Sequence, residues 1–286
     1  MKQTSGLWVA CGVVLTTLVV APAVSAEAIL FYRMEDSTAG SAATSLKSDG
    51  TSLTNAIAAD GGGVFNADVP GAFIFDPVTN VYRPNATSVY TTSAGRFDVT
   101  GAVTQVRNFT VEAFIKTSET ASFARILQKQ RGGALDASWR IDPRNTTNIA
   151  IRADSNDGTY GLYNQSVNGS QNINSGQWQH LALTYTDGVA GVTPGVLNVY
   201  WDYTLAATLT MNNLGVMQYD TGLFSIAGGP GSPNGLVGLI DEVRFSNTVL
   251  APDQFLRATA VPEPGSCALL LLAACGLAAC RRRRPR

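Results

Sequence analysis

The sequence contains few cysteines and a single histidine, and both shortages exclude classes of site. Its four cysteines lie near the termini, at Cys11, Cys267, Cys275 and Cys280, so the chain between them can form no disulfide. His180 is the only histidine, which excludes Cys/His zinc sites and cysteine-based catalysis in the body of the chain. We therefore expect the body to be stabilised by burial and strand pairing, or by a bound ion.

Charged residues are also scarce, at 14% of the chain, and they are distributed unevenly. Lys2 and five C-terminal arginines are six of the 20 basic residues, and Glu263 is one of the 21 acidic residues. The remaining body has 14 basic against 20 acidic residues, a net charge of −6. An anionic body does not suit nucleic acid, but it is compatible with neutral glycans, cations or other proteins.

The N-terminal residues have the pattern of a secretory signal. Lys2 precedes an apolar run from Leu7 to Val20, and the small residues Val24-Ser25-Ala26 offer a cleavage site. We interpret residues 1–26 as a signal peptide that exports the chain.

The C-terminal residues have the pattern of a sorting signal. Pro262-Glu263-Pro264 is followed by the uncharged run 265–280, which we expect to form an apolar helix, and then by an arginine cluster at 281–284. The run has 16 residues, whereas a full membrane span needs about 20, so we expect a temporary anchor. This order resembles the PEP-CTERM sorting signal of bacterial envelope proteins. The resemblance implies recognition by an exosortase, cleavage near the motif, and delivery to the cell surface or extracellular matrix.

Between these segments the pattern predicts one all-β domain over residues 27–260, leaving 261–286 as the sorting segment. Short runs of β-branched and aromatic residues alternate with turn residues, and no stretch has sustained helical periodicity. Strands without intervening helices favour an antiparallel sandwich of two sheets. The clearest strand is 108–116, in which alternate residues share one face. That face consists of Phe109, Val111, Ala113 and Ile115.

Other parts of the domain give weaker predictions. The composition of residues 36–69, which is dominated by Ala, Gly, Ser, Thr and Asp, predicts loops around one or two weak strands. A turn at 143–145 should separate strands at 139–142 and 148–154. A helical turn is expected within 251–258, which has proline at its second position.

Three segments carry a family resemblance. In order and spacing, 109–115, 176–185 and 238–245 resemble the LamG-like jelly-roll domain of the concanavalin A-like lectin/glucanase superfamily. The resemblance covers roughly 28–258 and implies a jelly roll of two antiparallel sheets. Where the family usually turns a hairpin with Tyr-x-Asp-Gly, residues 200–203 read Tyr-Trp-Asp-Tyr. Tyrosine tolerates positive φ poorly, so we expect a longer or differently shaped turn here.

Asp241 is the first candidate for a bound ion. Counting by twos through the last strand places Asp241 on the same face as Val237, Leu239, Val243 and Phe245. A buried carboxylate must be hydrogen-bonded, paired or metal-bound. Asp241 is therefore expected either to accept hydrogen bonds from backbone amides or pair with an arginine, or to bind Ca²⁺.

The segment 154–158 is the second calcium candidate. Asp154, Asn156 and Asp157 place three oxygen-bearing side chains in a predicted hairpin turn. The segment lacks the spacing and distal Glu of an EF-hand, and such turns are common without metal. Both interpretations stay open.

The sequence favours binding over catalysis. Hydrolases of the superfamily usually carry Glu-x-Asp-x-x-Glu on one strand, and no such string occurs. Aromatic residues at a predicted turn, Tyr200, Trp201 and Tyr203, are candidates for stacking on sugars. We therefore interpret the chain as an exported, non-enzymatic binding module, with a glycan or exopolysaccharide as ligand. A protein-adhesive or structural module, or a degenerate polysaccharide lyase or hydrolase, is the alternative.

Overall fold

The computed structural model describes residues 27–100, 104–118, 124–130, 137–145, 148–154, 160–166, 172–217, 221–230 and 234–259. In this part of the chain the regular structure is almost entirely β-strand, with two short 3-10 turns at Asn212–Leu214 and Pro252–Gln254. The strands are β1 Ala28–Tyr32, β2 Ala42–Ala43, β3 Ser45–Leu46, β4 Ala56–Ala59, β5 Gly63–Asn66, β6 Phe73–Asp76, β7 Val81–Pro84, β8 Ser88–Thr91, β9 Arg96–Val99, β10 Phe109–Lys116, β11 Leu127–Gln130, β12 Ala137–Asn145, β13 Asn148–Asp154, β14 Tyr160–Ser166, β15 Gln179–Thr186, β16 Val196–Trp201, β17 Thr204–Thr210, β18 Phe224–Ile226, β19 Gly238–Ser246 and β20 Arg257–Thr259.

These strands form two large antiparallel sheets, as the sequence predicted. The first sheet has the order β17-β16-β15-β10-β19-β8-β5-β2, with β1 also paired to β19. The second has the order β14-β13-β12-β11-β18-β9-β4-β3. The arrangement is consistent with a jelly-roll sandwich.

One main core joins the two sheets. Phe109 of the first sheet stacks on Trp139 of the second, with ring centroids 5.5 Å apart, and also contacts Phe245 at 5.2 Å. The alternate residues of β10 that were predicted to share a face all belong to this core, so that prediction is confirmed. Burial of these large apolar side chains is the main source of stability in a domain without disulfides.

A third, small sheet covers part of the outer face of the first sheet. It has the order β20-β6-β7, so the C-terminal strand pairs with a strand formed early in the chain. We refer to residues 250–259 as the strap. Leu256 of the strap packs with Phe31, Ile74 and Phe114 in a second apolar cluster. The predicted helical turn is the short 3-10 turn of the strap, and the strand after it was not predicted.

Two local predictions are wrong. The segment 36–69 contains four strands, β2 to β5, rather than one or two. Strand β12 continues through Pro143, which pairs with Ile149, so 143–145 is not a turn. Proline has no N–H to donate, but it can occupy a strand position that needs no donor.

A β-bulge in β19 changes the face on which Asp241 lies. At this point one residue of β10 faces two residues of β19, and Glu242 has a positive φ of 51°. Ile240, Val243 and Phe245 therefore belong to the main core, whereas Asp241 faces away from it. Counting by twos through the whole strand placed Asp241 with Val243 and Phe245, which is wrong because the inserted residue shifts the alternation.

Candidate functional site

The outer face of the first sheet carries one row of side chains that the small sheet and the strap leave partly open. Directly paired residues put Ala42, Val64, Tyr90, Leu239 and Lys116 in line across β2, β5, β8, β19 and β10. Side chains of directly opposed residues point to the same face of a sheet. Val64 is 44% and Tyr90 39% exposed. We refer to these five residues as the cross-strand row.

A pocket of about 280 Å³ lies at one end of the cross-strand row. It combines polar groups with an aromatic ring and a glycine-rich wall. Gly238 packs so closely against the backbone of β10 that a Cβ atom at this position would lie 2.4 Å from the carbonyl oxygen of Lys116, which leaves no room for a side chain. The lining residues include Asn66, Asp68, Tyr90, Lys116, Ser118 and Gly238.

Asp68 is the charged centre of this pocket. Its Oδ1 accepts a hydrogen bond from the indole Nε1 of Trp178 at 2.8 Å, and its Oδ2 accepts one from Lys116 Nζ at 2.5 Å. Partial burial raises the pKa of Asp68, but the bonds from Lys116 and Trp178 and the charge of Lys116 outweigh it, and the pKa lies below its usual value. The pocket thus holds a fixed carboxylate and ammonium of opposite charge.

The hairpin between β16 and β17 has two residues, Asp202 and Tyr203, with φ of 45° and 67°. Positive φ at both positions is the geometry of a type I′ turn, and the expectation of a longer or differently shaped turn is wrong. Contacts with the neighbouring strand β15 stabilise the turn. Asp202 Oδ1 accepts a hydrogen bond from the backbone N–H of His180 at 2.8 Å. The ring of Tyr203 stacks on the His180 ring.

The three aromatic candidates of this hairpin are packed to different degrees. Trp201 is fully buried in the main core, so the prediction that its ring could stack on a ligand is wrong. Along β16 it alternates with Leu197 and Val199, which also belong to the main core, so its side chain points inward. Tyr203 is partly buried, and the guanidinium carbon of Arg257 lies 4.3 Å from its ring centroid. Tyr200 is partly buried against the edge of Phe255, with centroids 5.2 Å apart.

A buried charge network lies beneath the strap. Glu112 Oε1 accepts a hydrogen bond from Arg244 Nε at 2.7 Å, and its Oε2 lies 2.8 Å from His180 Nε2 and accepts the backbone N–H of Leu256 at 2.9 Å. Arg244 also donates to Asp76 Oδ1 at 2.8 Å. Burial raises the pKa of Glu112, but the charge of Arg244 and the bond from His180 outweigh it and lower the pKa. The network attaches the strap to the first sheet, which indicates a structural role for His180.

Asp241 is buried and hydrogen-bonded. It accepts the side-chain N–H of Asn85 at 2.8 Å and the backbone N–H of Glu242 at 2.9 Å. The expectation of a backbone-amide bond is therefore confirmed. Burial and the neighbouring charge of Glu242 raise the pKa of Asp241 well above its usual value. Burial likewise raises the pKa of Glu242 to about 8, although the Arg33 guanidinium 3.5 Å away acts in the opposite direction.

The structure tests the calcium prediction only in part. Asp154 ends β13 and pairs with Tyr160 of β14, which fits a hairpin connection. Asn156 and Asp157 lie outside the described residues. Among the residues that are described, no three acidic, histidine or cysteine side chains are grouped to hold a metal ion.

Both targeting segments also lie outside the described residues, including the signal peptide, the motif Pro262-Glu263-Pro264 and the apolar run 265–280. Over the described residues, no helix has the length and apolar character needed to cross a membrane.

Sequence reasoning missed the pocket. Asp68 and Tyr90 lie in the stretch between 36 and 107, where few residues have the pattern of a strand. The alternation of β10 puts Lys116 on the face opposite Phe109 and Ile115, but its partner Asp68 is 48 residues earlier in the chain. The pocket could have been predicted only from the order of β10, β19, β8 and β5 in the sheet, because the cross-strand row is formed by the pairing of these strands.

The antiparallel sandwich has the architecture of a lectin-like fold, and comparison with known families agrees. Residues 87–254 match the family model for the concanavalin A-like lectin/glucanases superfamily. The match spans more than half of the chain, and the chain belongs to this superfamily. Residues 260–284 match the PEP-CTERM protein-sorting motif, a signal of exported proteins.

Solved structures with the same fold include several binding domains. Domain 4 of AbnA, an extracellular arabinanase from Geobacillus stearothermophilus in complex with arabinotriose, aligns with a TM-score of 0.56 at 16% identity over 80% of this chain and 97% of that one. The binding domain of Paraclostridial Mosquitocidal Protein 1 aligns with a TM-score of 0.54 at 13% identity over 80% of this chain. The binding domain of botulinum neurotoxin serotype D aligns with a TM-score of 0.51 at 14% identity, also over 80% of this chain.

This chain spans about half the length of the two toxin domains, covering 50% of each. At these identities the likeness shows the fold alone. No curated protein matches the chain in sequence.

Proposed function

We propose that this chain is an exported, non-enzymatic surface protein whose sandwich domain binds carbohydrate. The observation that carries the proposal is the pocket beside Tyr90, where an exposed aromatic ring adjoins the hydrogen-bonding groups of Asn66, Asp68 and Lys116. Sugars present hydroxyl groups for polar side chains and C–H faces for aromatic rings, so this pairing suits them. The structural similarity to an arabinanase domain in complex with arabinotriose supports the same ligand class.

The route to the surface is the second part of the proposal. Residues 1–26 would direct export and be removed, and the run 265–280 would hold the chain in the membrane temporarily. An exosortase would recognise Pro262-Glu263-Pro264 and release the domain to the cell surface or extracellular matrix. The sorting-motif match at residues 260–284 supports this route.

Binding to an array of neutral and acidic glycans tests the function. We expect the full chain, purified in a detergent without sugar groups, to bind a subset of the glycans and to release no reducing sugar from them. Release of reducing sugar would favour the degenerate hydrolase or lyase instead. Absence of binding to every glycan would favour the protein-adhesive or structural role.

Calcium binding at Asp241 is a further part of the proposal. The buried carboxylate oxygens of Asp241 and Glu242 and the amide oxygen of Asn85 are hard donors of the kind that Ca²⁺ prefers. Within the described part of the chain, Asn85 Oδ1 and Glu242 Oε2 accept no hydrogen bond, whereas Glu242 Oε1 lies 3.5 Å from Arg33 Nε. A cation there would offset the electrostatic cost of burying two adjacent carboxylates.

A further inference from the structure

The shape of the candidate site indicates what kind of carbohydrate it accepts. The cross-strand row continues away from the pocket through Tyr90 and Val64 to Ala42 on the short edge strand β2. Neighbouring strands lie about 4.8 Å apart, so Val64 and Lys116 are separated by about 14 Å across three strand spacings. That distance is several times the length of one sugar ring. The row therefore extends well beyond the space that a monosaccharide would fill.

The side chains of the row are apolar where they are exposed. Val64 and Tyr90 are neighbours on β5 and β8, and each keeps more than a third of its surface open to solvent. Exposed apolar side chains that adjoin a polar pocket mark an interaction surface rather than scattered surface residues. A ligand on this surface needs an apolar face over Tyr90 and Val64 and hydroxyl groups over the pocket.

The charges of the pocket indicate a neutral ligand. Lys116 Nζ donates to Asp68, so the one ammonium group among the described lining residues is already paired with a carboxylate. An anionic sugar would have to compete with Asp68 for Lys116 while lying beside the carboxylate of Asp68. The net charge of −6 on the body of the chain also disfavours polyanions.

We infer that the pocket and the cross-strand row together bind an internal segment of a neutral polysaccharide. The chain of sugars lies across β10, β19, β8 and β5, with one residue hydrogen-bonded to Asp68 and Asn66 and the next ones stacked on Tyr90 and Val64. Ala42, small and exposed at the sheet edge, lets the polysaccharide continue past β2. The inference rests on the proposed carbohydrate-binding function and adds the ligand's charge, its minimum length and its direction across the strands.

Calorimetric titration with a size series tests the inference. The neutral glycan bound best on the array is titrated into the full chain in sugar-free detergent as oligomers of one to six residues. We expect affinity to increase at least about 10-fold between one and four residues, because each added residue makes contacts along the row. Tyr90→Ala and Asp68→Asn should each weaken binding of the tetramer by at least about 10-fold. The matched control is Tyr82→Ala, since Tyr82 is a 47% exposed tyrosine on β7, away from the pocket.

Each result separates the inference from the proposed function. Equal affinity for the monomer and the tetramer, stronger binding of acidic than neutral glycans, or unchanged affinity of the Tyr90→Ala variant would overturn the inference while leaving carbohydrate binding in place. No binding to any glycan would overturn both. Thermal melting of each variant identifies losses that come from unfolding, and Val64→Asp is a second variant that blocks the row from an exposed position.

Discussion

The rings of Tyr203 and His180 lie almost parallel, with centroids 4.6 Å apart and an angle of 12° between their planes. Tyr203 occupies the second position of a two-residue turn at φ 67°, which is unfavourable for an aromatic side chain. Its hydroxyl also donates to the carbonyl oxygen of Leu256 in the strap, at 3.1 Å. Contacts with the neighbouring strand and the strap therefore offset the local cost, and the turn depends on them.

Replacing Tyr203 should reveal this dependence. We expect Tyr203→Ala to lower the free energy of unfolding by about 2–4 kcal/mol, because the ring packs on His180 and Arg257. Tyr203→Phe retains the ring and loses only the bond to the Leu256 carbonyl, so it should lower the free energy by about 1 kcal/mol. Denaturant unfolding measures both. Equal effects of the two substitutions would contradict the role assigned to stacking.

Acid should weaken the network beneath the strap. The pKa of Glu112 in the fold lies below its ordinary value of 4.5, so its contribution to stability is present above that pH and is lost as pH falls through the lowered pKa. Glu112→Gln should cost about 3 kcal/mol at neutral pH, because Arg244 loses a buried anionic partner. The difference between wild type and variant should shrink as the pH is lowered from 5 towards 3. Parallel stability curves over that range would contradict the assignment.

Glu242 should produce the opposite pH dependence. Burial raises the pKa of Glu242 from 4.5 to about 8. The folded state therefore holds a proton that the unfolded state releases, and stability decreases as pH rises from about 4.5 through about 8. Glu242→Gln should flatten this decrease and be more stable than wild type at pH 8. Melting temperatures measured with EGTA present test this, and a wild-type melting temperature independent of pH between 5 and 8 would contradict it.

The calcium hypothesis predicts a ligand-dependent melting temperature. A site in the folded state alone stabilises it by about 2.7 kcal/mol when free Ca²⁺ exceeds its Kd 100-fold. The melting temperature should therefore be higher in excess Ca²⁺ than in EGTA, and Asp241→Asn should remove the difference. Asp49→Asn, which changes an exposed carboxylate outside the proposed site, is the control. Identical wild-type curves in Ca²⁺ and EGTA would refute calcium binding.

The sequence predicts which side chains face the core when that depends on the alternation of a single strand. The alternation of β10 identified its core face because the period of two is a local property of extended backbone. The same rule failed in β19, where one extra residue at Glu242 shifts the face of Asp241. A bulge arises from pairing with another strand, and nothing in the local sequence marks its position.

The candidate site depends on pairing between distant segments. Asp68 and Lys116 were unremarkable separately, and their contact requires β5 and β10 to be held in one sheet by β8 and β19. The inward position of Trp201, in contrast, follows from the alternation of β16 alone, in which Leu197, Val199 and Trp201 share the core face. Tertiary contacts from His180 made a short turn possible where local preference opposed it.

The pairing of β20 with β6 has a consequence for the proposed cleavage at the sorting motif. Only residues 260 and 261 separate Thr259, which is the last described residue and pairs with Phe73, from Pro262. Three residue steps reach at most about 10 Å, so any enzyme that cuts at the motif must work almost against the folded body. The rate of cleavage should therefore depend on steric access of the enzyme's active site to the motif, and not only on recognition of the motif. Spacer residues inserted after Thr259 should accelerate that step.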